Sequence, residues 1–431
     1  MVKKMMIQKL QSYKEEWNDH INNELLPFWF ERAMDKKRGG FITQFDRNGN
    51  DAGTDEKSLI AQARMTYAMS LAARSGYQIE RTLEFAHHGA KYLISGMWDN
   101  SYGGFFWMTD RNGKVTVDKK IVYGQSFGIY ALSEYYLATN DKLALEFAKK
   151  AFELLLSNAA DIRYGGFFEM FSKDWVLAGP GSAGGDRKTL DVHMHLMEAF
   201  TSLYKATNLD SVRRRLEEII LLLTKVIYSP GTGAGKPQFT KDWKPAQQIK
   251  FNIIWGWDRF QGEGVKANAD DNFSYGHDME FLWLLLEALR SLNTDAGKYK
   301  KLLRAIAGHA LRYGIDYEYG GVYVEGPLDG PAYDLQKEFW QQAESLIGLL
   351  DSYMLFRDES FLDAYDAVHR FVFDKMIAHD VGEWLPLLER DGTPIWTHMG
   401  TSWKINYHTL RCAIMCVKRI DALIGMKLSS K

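Results

Sequence analysis

The chain repeats itself, and that repeat limits its fold more than any other feature. The segments RGGFITQFDRNG from Arg38, YGGFFWMTDRNG from Tyr102 and YGGFFEMFSKDW from Tyr164 set their glycine pairs 64 and then 62 residues apart. YGGVYVEGPLDG from Tyr319 and VGEWLPLLERDG from Val381 carry the mark on, again 62 residues apart. A period this long, with helical sequence between the marks, signals one supersecondary unit used several times. Each mark reads as a turn, a short aromatic strand and another turn. Its paired glycines permit positive φ or close backbone approach.

Two helical stretches separate successive marks. Residues 57–75, 122–138, 188–206, 276–292, 336–353 and 403–420 are apolar nearly all round, as in helices buried on most faces. Residues 79–95, 142–158, 210–227, 296–313 and 358–376 are amphipathic and more charged. Alternation of about six of each predicts two concentric rings. The expected fold is therefore all-α: an (α/α)6 barrel with short β-hairpins in its mouth loops, one catalytic domain over residues 1–431. Only nine prolines and no low-complexity tract agree with the lack of a linker. The inner helices should point their N-terminal ends at the mouth where the marks gather. One stretch, 229–273 between Tyr228 and His277, is too long for a bare connection and reads as a functional lid. Trp243, Phe251, Trp255, Trp257 and Phe260 give it apolar surface to pack.

Several function classes recede. A net charge of -2 and a pI near 6.6 leave no electrostatic footprint for nucleic acid. No apolar run is long enough to span a membrane, and the N-terminus lacks a signal-type apolar region, so a cytoplasmic location is expected. Cys412 and Cys416, one helical turn apart, read as small buried hydrophobes. His193 and His195 lie two apart on different helix faces, and HExxH, GxGxxG and phosphate-loop patterns are missing. Neither metal nor cofactor is expected. The 13 Trp, 22 Tyr and 24 Phe suit a site that stacks rings on the C–H faces of sugars.

His195 in DVHMHLMEAF, His277 in SYGHDMEFLW and His408 in WKINYHTLRC each fall near the start of an inner segment, and read as matching places in three repeats. One such histidine is ordinarily a core or cap residue. Three together point to one pocket that moves protons near neutral pH. Glu280 lies one turn beyond His277 on the same face, where a carboxylate can orient an imidazole. Arg64 is a cation in an otherwise apolar helix, fit to hold an oxyanion or to form a structural ion pair. Glu344 is an acid inside an apolar helix and needs a partner if buried. Trp340 and Trp403 sit at mouth ends, as stacking platforms would. Such a set suits proton abstraction next to a carbonyl.

The motifs SYGHD-x-E, HL-x-EA, FWQQAE and W-K-x-x-Y-H occur together, and with them the whole chain resembles the N-acylglucosamine 2-epimerase and cellobiose 2-epimerase family. The resemblance implies an (α/α)6 barrel with His277 and His408 as the two catalytic histidines. It gives Arg64 the substrate oxygens and makes His195 a third essential histidine. Glu280 matches a carboxylate one turn on, Glu344 a substrate-site glutamate, Trp340 and Trp403 sugar-binding tryptophans, and Tyr123 an inner-helix tyrosine. The implied reaction removes the C2 proton of a ring-opened sugar and returns one to the opposite face through a cis-enediolate.

Some positions depart from the cellobiose-acting pattern. Asp191 stands where an asparagine is expected, and Phe339 where a first tryptophan is common. The long 229–273 segment resembles the D-mannose 2-epimerase branch, implying a D-mannose/D-glucose substrate. Asp258, in WGWDRF, would then reach the sugar from the lid, unless it is only a turn acid. Four other readings stay open: cellobiose 2-epimerase, aldose–ketose isomerase, a sugar-binding module, and an inverting glycosidase built on carboxylates such as Glu280, Glu344 and Asp191. The expected partner is a small sugar, with the protein a monomer or homodimer.

Overall fold

The marks are built by three contacts that recur from unit to unit. Asp35, Asp99, Asp161 and Asp316 each accept the backbone N–H groups two and three residues on, which turns the chain into its glycine pair. Those glycines, such as Gly103 and Gly104 at φ +71° and +76°, adopt backbone that other residues avoid. A lysine just before the next inner helix then reaches back to the same aspartate. Lys57, Lys120, Lys188 and Lys337 lie 2.9, 2.9, 2.7 and 3.1 Å from Asp35, Asp99, Asp161 and Asp316, all buried. Third, a side chain inside the helix clips the residue after the glycines. Gln62, Gln125 and Gln342 bond both the N–H and the C=O of Phe41, Phe105 and Val322. In the third unit His193 Nε2 accepts the Phe167 N–H at 3.1 Å, so this histidine is part of the scaffold.

The computed structural model describes residues 2–228, 233–249, 251 and 273–429. Its helices are α1 (Val2–Asp19), α2 (Leu26–Arg32), α3 (Leu59–Arg74), α4 (Ile79–Ser95), α5 (Val122–Thr139), α6 (Lys142–Leu154), α7 (Leu190–Thr207), α8 (Asp210–Leu222), α9 (Tyr275–Ser291), α10 (Lys300–His309), α11 (Phe339–Phe356), α12 (Ser360–Phe371) and α13 (Asn406–Ser429). Odd-numbered helices from α3 onward pack each on the next, and α13 closes on α3, giving an inner ring of six. Helices α4, α6, α8, α10 and α12 back the inner helices that precede them, and α1 backs α13. The outer ring is thus completed by the N-terminal helix, whose place the repeat did not reveal. Burial explains the two sequence patterns. Every residue of α5 from Val122 to Tyr135 is buried, whereas α6 buries only Ala144, Ala148, Ala151 and Phe152, a single stripe. Among the described residues no helix is long and apolar enough to cross a membrane.

Short strands zip the marks around the mouth. The segment leading into each inner helix pairs antiparallel with the following mark: Lys57–Ser58 with Met108–Thr109, Lys120–Ile121 with Met170–Phe171, Arg187–Thr189 with Gln238–Thr240, Phe273–Ser274 with Glu325–Gly326, and Lys337–Glu338 with Leu387–Leu388. A bridge from Phe45 to Gly400 closes this circuit.

The lid expectation needs correction at its start. Residues 233–249 follow the ordinary mark: Tyr228 bridges Gly235 as Ala160 bridges Phe167, and Gln238–Thr240 takes its place in the mouth pairing. Trp243 copies Trp175. Both have φ +64°, and each indole N–H donates to two carbonyls of the preceding mark. Trp243 therefore belongs to the barrel, and after a turn that lacks the glycine pair the sequence follows the repeat as far as Ile249. Trp255, Trp257, Asp258 and Phe260 lie outside the described residues.

Candidate active site

Helix caps fix the register of the inner side chains. N-caps fall at Ser58, Ile121, Thr189, Ser274 and Glu338, and α13 begins directly after Ile405. Counting six residues on from each gives Arg64, Phe127, His195, Glu280, Glu344 and Arg411, one from every inner helix. Counting three gives His277 on α9 and His408 on α13. His277 and His408 are therefore equivalent, but His195 is not their counterpart. It lies one helical turn deeper, in the layer with the two arginines and two glutamates, because the cap of α7 stands six residues before it. Ser274 caps α9 through the His277 N–H at 3.3 Å, so the cap itself sets that histidine's position.

In the deeper layer, ring faces and hydrogen bonds hold Arg64. Its guanidinium lies 4.8, 4.9 and 4.8 Å from the ring centroids of Phe127, Trp403 and Tyr407. It donates to the Trp403 carbonyl at 3.0 Å and the Tyr123 hydroxyl at 3.2 Å. Among the described residues no carboxylate lies within ion-pair distance of it, so the structural ion-pair reading of Arg64 fails. Tyr123 in turn stacks on Trp403 at 5.3 Å and 13°, and meets His195 edge-on at 5.0 Å. Trp403 is thus a wall that holds Arg64 and Tyr123 as well as a mouth-end ring.

Both nitrogens of His195 face carboxylates: Nδ1 lies 2.9 Å from Glu198 and Nε2 3.4 Å from Asp191. Burial opposes its charge, but these two carboxylates outweigh it and carry the pKa up to about 10. His195 is a cation at neutral pH, with N–H on both sides.

His408 is in the opposite state. Its Nδ1 lies 2.6 Å from Glu344 Oε1. Burial, helped by the charges of Arg64 and Arg411, holds the imidazole neutral, with its pKa down at about 3. The carboxylate takes the Nδ1 proton as its hydrogen bond, which leaves Nε2 as the basic nitrogen. Glu344 also accepts from Trp283 Nε1 at 2.9 Å and from Arg411 at 2.7 Å, so the buried acid has the partners it requires. Arg411 also donates to Glu280 at 2.9 Å and to Glu198, with its guanidinium 4.0 Å from the Tyr407 ring. Glu280 thus points down to Arg411, and no contact with His277 joins it to that ring. At the sixth position its side chain belongs to the layer below. Ligand atoms of Glu280, Glu344 and His408 lie within 4.8 Å of one another, a spacing a metal could use, but the Arg411 guanidinium already supplies the cation there. Burial, and then the Glu344 charge, push the Glu280 pKa up, whereas Arg411 and His408 hold Glu344 down in spite of burial.

His277 keeps 32% of its side chain open, and its pKa is lowered by burial against the pull of Asp191. The Trp340 ring lies 4.6 Å from His277 and 5.9 Å from His408, so one indole touches both imidazoles. Phe339 meets the other side of His408 at 5.9 Å. Asp191, two-fifths open, sits between His195 and His277. All the expected site residues within the described chain gather at this mouth. Sequence reasoning missed Arg411, Glu198 and Tyr407. Their signal was present: Arg411 and Glu198 each follow a site histidine by three residues, as Glu280 follows His277.

The chain is similar to known proteins over most of its length. The family described as N-acylglucosamine 2-epimerase matches residues 40–412. A cellobiose 2-epimerase from Bacteroides fragilis is 29% identical over 417 residues, covering 94% of this chain and 98% of its own. A D-mannose isomerase from Marinomonas mediterranea is 24% identical, with 93% and 96% covered. The solved cellobiose 2-epimerase of Spirochaeta thermophila superposes with a TM-score of 0.82 at 28% identity, over 96% of this chain and 98% of that one. The chain belongs to the N-acylglucosamine 2-epimerase family.

Proposed function

We propose that this protein is a sugar 2-epimerase, inverting C2 of a reducing aldose and interconverting D-mannose and D-glucose. The observation that carries this reading is the equal height of His277 and His408 on two inner helices, with Trp340 touching both rings. Below them lies a floor that holds the cations Arg64 and His195. The sugar opens to its aldehyde, which acidifies the C2 proton. One histidine takes that proton, and the electron pair flows into a cis-enediolate. Arg64 donates hydrogen bonds to its oxygens, and the His195 cation offsets the negative charge that develops there. The other histidine, which must carry a proton when the sugar binds, then gives it to the opposite face of C2, so the two rings exchange protonation states in each turnover. Glu344 keeps the basic nitrogen of His408 free for its part in this exchange.

The glycosidase reading loses support from the same geometry. Glu280 and Glu344 are buried side by side on Arg411, whereas hydrolysis needs two carboxyls flanking a bond, about 5–9.5 Å apart. The length of the chain after Ile249 favours a monosaccharide over a disaccharide. Names borne by relatives keep cellobiose epimerisation and aldose–ketose isomerisation as the competing outcomes. Initial rates on D-mannose, D-glucose and cellobiose, with products separated by chromatography, decide among them. Expected is 2-epimer from the two monosaccharides at higher kcat/KM than from cellobiose. A higher kcat/KM on cellobiose, or ketose as the sole product, would overturn the substrate or the reaction respectively.

A further inference from the structure

One carboxylate oxygen serves two histidines of the site. Asp191 Oδ1 lies 3.4 Å from His195 Nε2 and 3.6 Å from His277 Nε2. The other nitrogen of His195 is engaged by Glu198, so carboxylates face both sides of that ring and favour its cationic form. His277 must gain a proton next to this cation whenever it acts as a base. Two imidazolium rings around one point repel each other strongly unless an anion lies between them. Asp191 is that anion, and no other carboxylate of the described residues comes within ion-pair distance of the His277 ring.

We propose that the Asp191 carboxylate allows His277 to become cationic beside His195, which makes Asp191 a positioning residue for proton transfer at that ring. The inference rests on the epimerase reading for its consequence in turnover, but not for its charge balance. When His277 takes the C2 proton onto a ring nitrogen, the C–H electron pair forms the C1–C2 double bond and the carbonyl π pair moves onto the C1 oxygen. The new N–H charge is offset by Asp191, which is already near enough to accept it after a shift of a few tenths of an ångström. Other groups face His277 too. From α7 come Asp191 and His195, from its own helix Asp278, and from α11 Glu344. His408 of α13 lies beyond the Trp340 indole, and the Tyr228 hydroxyl donates to the His277 carbonyl at 3.4 Å. Glu344 is committed to Arg411 and His408, and Asp278 to the Gly235 N–H, which leaves Asp191 to answer a proton on His277. Asparagine has the same shape without the charge, so it isolates this role.

The test is an NMR titration of ring-labelled histidine in the full-length protein, comparing wild type with Asp191→Asn and assigning resonances with His277→Gln. Without the anion, the His277 midpoint should fall by about one pH unit or more, the size of effect an opposite charge at this distance produces. The acid limb of kcat/KM should move to lower pH with it, and Asp191→Glu should recover part of the shift. An unmoved His277 midpoint in Asp191→Asn, with activity lost only through KM, would overturn the proposal and leave Asp191 as a ligand for a sugar hydroxyl. The titration needs no substrate. A wild type inactive on every aldose would sink the functional reading and still leave the midpoint to judge this one.

Discussion

Glu344 Oε1 accepts from two partners at once, His408 Nδ1 at 2.6 Å and Arg411 at 2.7 Å. The arginine keeps the carboxylate ionised in a fully buried place, and the carboxylate keeps the histidine in one tautomer. His408 is thus oriented from behind by a buried ion pair. Arg411 extends the same grip to Glu198, which holds His195. One guanidinium therefore stabilises the partners of one neutral and one cationic histidine.

Glu344→Gln should separate orientation from binding. The neutral amide cannot both anchor Nδ1–H and balance Arg411, so kcat should fall by about 10²-fold or more while KM changes little. Steady-state kinetics on a variant shown to be folded checks this. A kcat within threefold of wild type, roughly 0.6 kcal/mol, would mean that the pair is only structural.

The pH dependence follows from the two opposite shifts. His408 and His277 are both lowered, so the state with one ring protonated and the other neutral should be reached at more acidic pH than for free imidazoles, and kcat/KM should hold up on the acid side. His195 is raised to about 10, so the floor should lose its charge, and activity should fall, as pH rises through that value. Stability carries the same sign. The folded chain retains the His195 proton that the unfolded chain gives up, so this contribution is complete below about pH 6.5 and is lost towards pH 10. A pH–rate profile alongside thermal melts from pH 5 to 10 reads both.

His193 stands where three other units carry glutamine. His193→Gln should restore the common clip on Phe167, leave kcat unchanged and make the protein more resistant to acid. Burial holds the His193 pKa down at about 3, so the unfolded chain takes up a proton that the folded chain refuses as pH falls from about 6.5. Melting at pH 7 and at pH 5 should show the variant's advantage only at the lower pH. Loss of turnover in this variant would place His193 in the chemistry after all.

The buried lysine–aspartate pairs should resist being broken one side at a time. Lys120→Met leaves Asp99 uncompensated at 2% exposure and should cost about 3–5 kcal/mol. Lys120→Met with Asp99→Leu removes that stranded charge, but Asp99 also turns the chain at the mark, so recovery should be partial. Denaturant melts of the two variants test the order.

Much of this was legible in the chain, for identifiable reasons. The glycine pairs are visible because positive φ leaves few alternatives, and the inner helices because burial on every face removes amphipathicity. Arg64, His195, His277, Glu344 and His408 stood out as polar residues in apolar helices. The register was harder. His195 resembles His277 and His408 in sequence context, yet the cap at Thr189 stands six residues before it rather than three and sets it a turn deeper, and a cap position is invisible without its hydrogen bond. Glu280 was assigned to His277 by spacing alone, whereas its partner Arg411 lies 131 residues away. Trp243 looked like lid because its repeat, FTKDW against FSKDW, was masked by the missing glycine pair before it.

The most direct measurement is proton NMR of the sugar after turnover in D2O. With D-mannose or D-glucose the account predicts the 2-epimer as product, bearing one solvent deuterium at C2 and none at C1. His277→Ala and His408→Ala should each stop inversion. Deuterium at C1 with ketose accumulating, or 2-epimer formed with its original C2 proton retained in full, would contradict two opposed histidines working through an enediolate.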